Sequence, residues 1–217
     1  MKTGNSRDEE SKRSQLRREK PYVYEKIMRF DEKVRRGESI AIIQMQYNYA
    51  CNMTCQHCSI KGLQAQKRDN RRILTPDAVR DLMHQADELG LARFEFNGGE
   101  PFVNKDYDEV IKAIDPDKFY INSVTNGWLL DEKRAKHLKA IGVDRIQISV
   151  DSLNPEEHDL FRQRSGSHAR ALRAVEACRK AGLAVFVSTV VTKQRLYSPE
   201  LIDFIKYFND KDLGVFM

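Results

Sequence analysis

Residues 40–58 read Ile40-Ala41-Ile42-Ile43-Gln44-Met45-Gln46-Tyr47-Asn48-Tyr49-Ala50-Cys51-Asn52-Met53-Thr54-Cys55-Gln56-His57-Cys58. Ile40 to Met45 has the apolar character of a buried strand, and it runs straight into a loop holding three cysteines spaced C-x3-C-x2-C. Three thiolates on one short loop can converge on one small inorganic centre, and three protein ligands leave a metal position open for another molecule. The spacing suits an iron–sulfur centre. It also admits zinc with His57 as a fourth ligand, although His57 is adjacent to Cys58 and neighbouring residues seldom both reach one tetrahedral ion. Cys178 is 120 residues from Cys58 and falls among Ala171, Ala174 and Val175 on one helical face, as a core residue would. Clustered thiols without dispersed pairing argue against a disulfide framework.

Outward from this loop, strands and helices alternate. A helix is expected around Tyr22 to Arg36. Thr75-Pro76-Asp77 supplies a cap, a first-turn proline and an acid for a helix presenting Val79, Leu82, Met83 and Ala86 on one face and stopping at Gly90. Strands follow at Arg93–Phe96, Phe119–Val124, Arg145–Val150 and Leu183–Val191, and a sixth begins at Leu213. Helices separate them at Tyr107–Ile114, Asp131–Ile141, around Ala171–Cys178 and from Pro199 to about Asn209. Five strand–helix units in strict order predict a parallel α/β sheet with outer helices, as a barrel or an open sheet. The strands read as nearly continuous apolar runs, the pattern of a sheet covered on both faces. In such folds chemistry collects at the C-terminal ends of strands. Strand two ends there in Asn97-Gly98-Gly99-Glu100-Pro101, where paired glycines permit a close backbone approach and Glu100 offers a carboxylate.

The chain has 217 residues, 41% hydrophobic and 32% charged, which suits a globular protein. Its longest near-apolar run, Leu183–Val191, is far short of the roughly 18–20 residues of a membrane-spanning helix. The charged N-terminus lacks an apolar signal segment, so a cytoplasmic protein without membrane partners is expected. Residues 1–39 hold 12 Lys/Arg against 8 Asp/Glu, leaving 25 against 24 in the remainder. The pI near 9.0 is therefore a property of this basic leader, expected to be solvated and partly frayed outside its helix at about 22–36. A near-neutral body counts against a nucleic-acid groove.

Cysteines after strand one together with Gly98-Gly99-Glu100-Pro101 after strand two resemble the double signature of the radical S-adenosylmethionine (radical SAM) enzymes. The resemblance runs from about Glu25 to Met217. Thr125-Asn126-Gly127 after strand three supports it, as does Ser149-Val150-Asp151-Ser152 with Pro155 to Arg162, which is similar to a stretch in members that modify peptides and proteins. The resemblance implies a partial (β/α)6 TIM-like barrel over residues 40–217 that stops at its sixth strand, as a truncated piece would. It lacks the cysteine-rich C-terminal extension, known as SPASM, of the peptide-modifying relatives.

Further implications concern the cofactors. A 4Fe–4S cluster would be held by Cys51, Cys55 and Cys58, and S-adenosylmethionine would bind its open iron. Reductive cleavage would give a 5′-deoxyadenosyl radical that takes hydrogen from a peptide, protein or small-metabolite substrate. The electron would come from a flavodoxin- or ferredoxin-type donor. Gly98, Gly99 and Glu100 would cradle the methionine ammonium, and Ser149 and Asp151 would meet the ribose hydroxyls or nearby polar atoms. Arg162, in competition with Arg164, would pair with the methionine carboxylate. Asn126 belongs to the turn beside them, and His57 would pack near adenine. His84, His137, His158 and His168 are assigned no chemistry. Two rival readings remain: a non-catalytic scaffold of the same fold, and a zinc-stabilised nucleic-acid-binding module.

Overall fold

Helices begin in this chain where short polar side chains can satisfy the first free backbone N–H groups. In the computed structural model, which describes residues 6–38, 41–62 and 74–217, Thr75 accepts from Ala78 N (3.2 Å), Asp131 from Arg134 N (2.7 Å) and Asn154 from Glu156 N (2.9 Å). The elements in order are α1 (Ser6–Glu19), α2 (Pro21–Arg36), β1 (Ile43–Gln46), α3 (Pro76–Glu88), β2 (Arg93–Asn97), α4 (Tyr107–Ile114), β3 (Tyr120–Thr125) and α5 (Glu132–Ala140). Then come β4 (Arg145–Ser149), α6 (Pro155–Arg162), α7 (Ser167–Lys180), β5 (Ala184–Ser188), α8 (Lys193–Leu196), α9 (Pro199–Asn209) and β6 (Gly214–Phe216). The strands form one sheet in the order β1-β2-β3-β4-β5-β6, every pair parallel, and it does not close. This is the expected α/β architecture. Ile40, the expected start of the first strand, and the boundary at 39/40 lie outside the described residues.

The expectation of nearly continuous apolar strands is corrected. Phe94, Phe96, Ile121, Ile146, Ile148, Val185 and Val187 are buried beneath the helices. The alternate positions carry Gln44, Glu95, Asn97, Asn122, Arg145 and Gln147 on the opposite face, where the register sets Gln44 beside Glu95, Glu95 beside Asn122 and Asn122 beside Arg145. Side chains on a strand alternate between faces, so Arg-Phe-Glu-Phe-Asn in β2 is the signature of one dry face and one polar face. The sheet thus has an apolar outer layer and a polar lumen. Leu82 also departs from its expected place: it is exposed at the margin of α3, while Val79, Met83 and Ala86 are buried. Cys178 is in the core as expected, and burial pushes its thiol up to about 12.

The leader is more ordered than its charge pattern suggests, because α1 occupies residues expected to fray and α2 is tied to the sheet's N-terminal end. Lys20 Nζ binds Asp144 Oδ2 (2.7 Å) and the Gly142 carbonyl (2.8 Å). Lys26, only 3% exposed, binds Asp87 Oδ1 (2.9 Å) and the Lys118 carbonyl (2.8 Å) and lies over the Phe119 ring. Burial holds its ammonium below the ordinary lysine pKa. An ammonium in that position needs its counter-charge. Asp87→Asn is therefore expected to lower the unfolding free energy by about 3 kcal/mol, read from urea midpoints. A loss under about 0.5 kcal/mol, the range of an exposed pair, would mean that α2 is not docked on the sheet.

Candidate cofactor site

The cysteine loop is fastened across the C-terminal ends of the strands by contacts from three sides. From β2, Gly99 N donates to the Asn48 carbonyl (3.1 Å) and Glu100 N to the Ala50 carbonyl (2.7 Å). A Cβ on Gly99 would lie 2.0 Å from the Ala50 oxygen, and one on Gly98, at φ +143°, 2.7 Å from the Asn48 oxygen. The paired glycines are thus required by the loop's own backbone. From β3, Asn126 Nδ2 donates to Asn52 Oδ1 (2.7 Å). From α6, the Phe161 carbonyl accepts from Gln56 N (3.0 Å), Arg164 Nη1 reaches the Asn52 carbonyl, and Arg162 Nη1 lies 3.9 Å from Cys55 Sγ.

Ten of the eleven residues anticipated from sequence line one cavity of about 470 Å³: Cys51, Cys55, Cys58, His57, Gly98, Gly99, Glu100, Asn126, Ser149 and Arg162. Burial raises the thiols of Cys51 and Cys55, and the Arg162 guanidinium offsets part of the rise at Cys55. His57 stacks on Phe161, with ring centroids 4.2 Å apart and planes 17° from parallel. Its Nδ1 is buried without a partner, and burial depresses its pKa.

Asp151 departs from its expected place and does not line this cavity. It is 5% exposed, with Oδ2 taken by Arg162 Nε (2.6 Å) and Oδ1 by Val190 N (3.0 Å). Its carboxylate therefore aims the Arg162 fork and leaves the Nη groups for other partners. Arg164 does not line the cavity either; it lies over the Trp128 ring, 3.7 Å from its centroid. His158, given no chemistry from sequence, accepts from Asp151 N through Nδ1 (3.1 Å), and desolvation lowers its pKa to about 4.

Glu100 is the most constrained polar group here, at 1% exposure. Oε1 accepts from Thr125 Oγ1 (2.7 Å) and Phe102 N (3.3 Å), and Oε2 from Asn126 N (2.8 Å). Each carboxylate oxygen has two lone pairs, so Oε2 keeps one acceptor position. Desolvation nevertheless lifts the group to about 7. A raised carboxyl pKa means that ionisation costs folding free energy as pH climbs from the ordinary 4.5 towards 7, and a cation placed beside it would relieve that cost. Sequence reading gave no role to Thr125, quoted only within Thr125-Asn126-Gly127, or to Asn52, whose partners are 25 and 74 residues distant in the chain. It also missed Gln44, Gln46 and Asn97 on the cavity floor, which the period-two alternation of the strands would have revealed.

With this geometry in place, comparison with known proteins is specific. The family model of the radical SAM superfamily matches residues 45–205, and the chain belongs to that superfamily, whose members use a 4Fe–4S cluster and S-adenosylmethionine. The GTP 3′,8-cyclase of Aquifex aeolicus is 30% identical over 178 residues, covering 81% of this chain and 54% of the cyclase. The PqqA peptide cyclase of Granulibacter bethesdensis is 30% identical over 151 residues, 70% of this chain and 40% of that enzyme. Among solved structures, Streptococcus suis SuiB bound to S-adenosylmethionine superposes with a TM-score of 0.66 at 16% identity, covering 95% of this chain and 49% of SuiB, a likeness of fold. The chain spans about half the length of the GTP cyclase that it matches.

The glycine fit gives a direct test of the loop's docking. Gly99→Ala must push the Ala50 backbone away, so Cys55, now 8% exposed, is expected to react several-fold faster with a thiol reagent in the metal-free protein. Unchanged reactivity of a folded variant would contradict the docking.

Proposed function

We propose that the chain is the core of a radical SAM enzyme, with Cys51, Cys55 and Cys58 holding a 4Fe–4S cluster and S-adenosylmethionine in the adjoining cavity. One observation carries the reading: the three thiols, Glu100, Ser149 and Arg162 line a single cavity at the strand ends. When bound, the pair supplies one-electron cleavage of the cofactor to a 5′-deoxyadenosyl radical, which takes hydrogen from substrate.

The residues fit these groups. Three thiolates satisfy three irons and leave the fourth for another ligand. Thiolates on separate irons need no common point, and among the described residues no three His, Cys, Asp or Glu side chains are grouped about one point. His57, the candidate fourth zinc ligand, packs its ring flat on Phe161. Glu100 presents its remaining acceptor position to the methionine ammonium, which supplies the positive charge its buried carboxyl lacks. Arg162, aimed by Asp151, offers its Nη groups to the methionine carboxylate. Ser149 supplies a hydroxyl for the ribose. Asn126 secures both the loop and Glu100, and the Phe161 stack sets the His57 ring as an aromatic wall of the cavity.

On this reading the substrate is a peptide, protein or small metabolite, and the electron comes from a flavodoxin- or ferredoxin-type protein. Among the described residues no helix is long and apolar enough to cross a membrane. Replacing Cys51, Cys55 and Cys58 with alanine is expected to abolish iron loading on anaerobic reconstitution and the formation of 5′-deoxyadenosine under dithionite. Iron retained at the wild-type level by the triple variant would overturn the assignment.

A further inference from the structure

A second cavity, of about 490 Å³, lies at the opposite end of the lumen, between the N-terminal ends of β2–β5 and the helices α1 and α2. Gln44 lines both cavities, so the polar face of the sheet runs from one to the other. Three arginines, Arg13, Arg93 and Arg145, line it with two carboxylates, Asp31 and Glu95.

Those carboxylates leave Arg145 unpaired. Glu95 is taken up by three amides: Oε1 accepts from Gln44 Nε2 and Asn97 Nδ2, and Oε2 from Asn122 Nδ2, each at 3.0 Å. Asp31 is divided between Arg13 (3.5 Å) and Arg93 (3.6 Å). Among the described residues Arg145 has no carboxylate partner; its guanidinium lies over the Phe186 ring at 4.9 Å and that of Tyr120 at 5.9 Å. Three polar atoms of residues that line this cavity are buried without a hydrogen-bond partner: Arg93 Nε, Arg145 Nε and Asn122 Oδ1, the last on a residue only 2% exposed. A buried polar atom without a partner costs free energy that a ligand can recover. A guanidinium grips an oxyanion through two parallel hydrogen bonds, from its Nε edge or from its two Nη groups.

We propose that this cavity is an oxyanion-binding site, with Arg145 and Arg93 gripping a carboxylate or phosphate ester and Asn122 Oδ1 accepting from a donor on the same ligand. Resting on the cofactor reading above, the site receives the anionic end of the substrate. Arg145 and Ser149 stand at opposite ends of β4, which at about 3.3 Å per residue separates them by roughly 13 Å. An extended small molecule or a short peptide end spans that distance, with its anion at Arg145 and its reacting carbon in the cofactor cavity. The helices of the basic leader then act as the floor of the site, giving that segment a use the cofactor chemistry does not.

The test is calorimetric titration of the anaerobically reconstituted chain with inorganic phosphate and, separately, succinate. Saturable binding of at least one is expected, and the preferred anion tells phosphate ester from carboxylate. Arg145→Lys keeps the charge but loses the fork, and Arg93→Gln changes a side chain that is 40% exposed and tolerant of replacement. Each is expected to weaken binding about tenfold or more while leaving thermal stability and iron content as in wild type. No saturable binding to the loaded chain, or equal binding by both folded variants, would overturn the site. A chain that takes up no cluster but binds the anion would sink the cofactor reading and leave this site standing.

Discussion

Everything at the strand ends depends on a backbone contact that only glycine allows. The Ala50 carbonyl occupies the space where a side chain of residue 99 would begin, and Asn48 stands in the same relation to residue 98. That approach lets two N–H groups of the β2 end bond the loop that carries the cysteines. It also buries Glu100, whose carboxylate then gathers the β3 end through Thr125 and Asn126. Asn126 returns to the loop at Asn52, and α6 with the turn after it closes the ring through Phe161 and Arg164. A motif that reads as ligand-facing glycines is therefore first a joint between two pieces of backbone.

The sheet divides its labour by side-chain parity. In β2 and β4 alternate positions send Phe94, Phe96, Ile146 and Ile148 beneath the helices and Arg93, Glu95, Asn97, Arg145, Gln147 and Ser149 into the lumen, to which β3 and β5 add the apolar Val124 and Phe186. The outer layer supplies the hydrophobic driving force of the fold. The inner layer contributes little of that and carries a continuous polar track between two cavities. A lumen floored by Gln44, Asn97 and Asn122 offers donors and acceptors side by side, the chemistry needed to read a polar substrate.

Element order, helix caps and the cysteine and glycine motifs were legible because each rests on local chemistry: a cap, a spacing, a stop at glycine. Asp151 was not, because its partners Arg162 and Val190 come from separate elements, and no local pattern records a buried ion pair across 11 residues or a backbone hydrogen bond across 39. Thr125 and Asn52 escaped for the same reason. The ordered leader escaped because net charge says nothing about Lys20 finding Asp144 before β4 and Lys26 finding Asp87 at the end of α3. The polar lumen was present in the sequence as strict alternation in Arg-Phe-Glu-Phe-Asn and Arg-Ile-Gln-Ile-Ser, and was hidden by reading apolar content in place of period.

The most direct measurement of the central claim is low-temperature electron paramagnetic resonance of the reconstituted, dithionite-reduced protein. Spectra are recorded without S-adenosylmethionine, with it, and with the cofactor carrying nitrogen-15 at its amino group. A 4Fe–4S signal whose shape changes on addition, with hyperfine coupling to the labelled nitrogen, is the expected result. A cluster indifferent to the cofactor, or a chain loaded with zinc and silent in the spectrum, would contradict it.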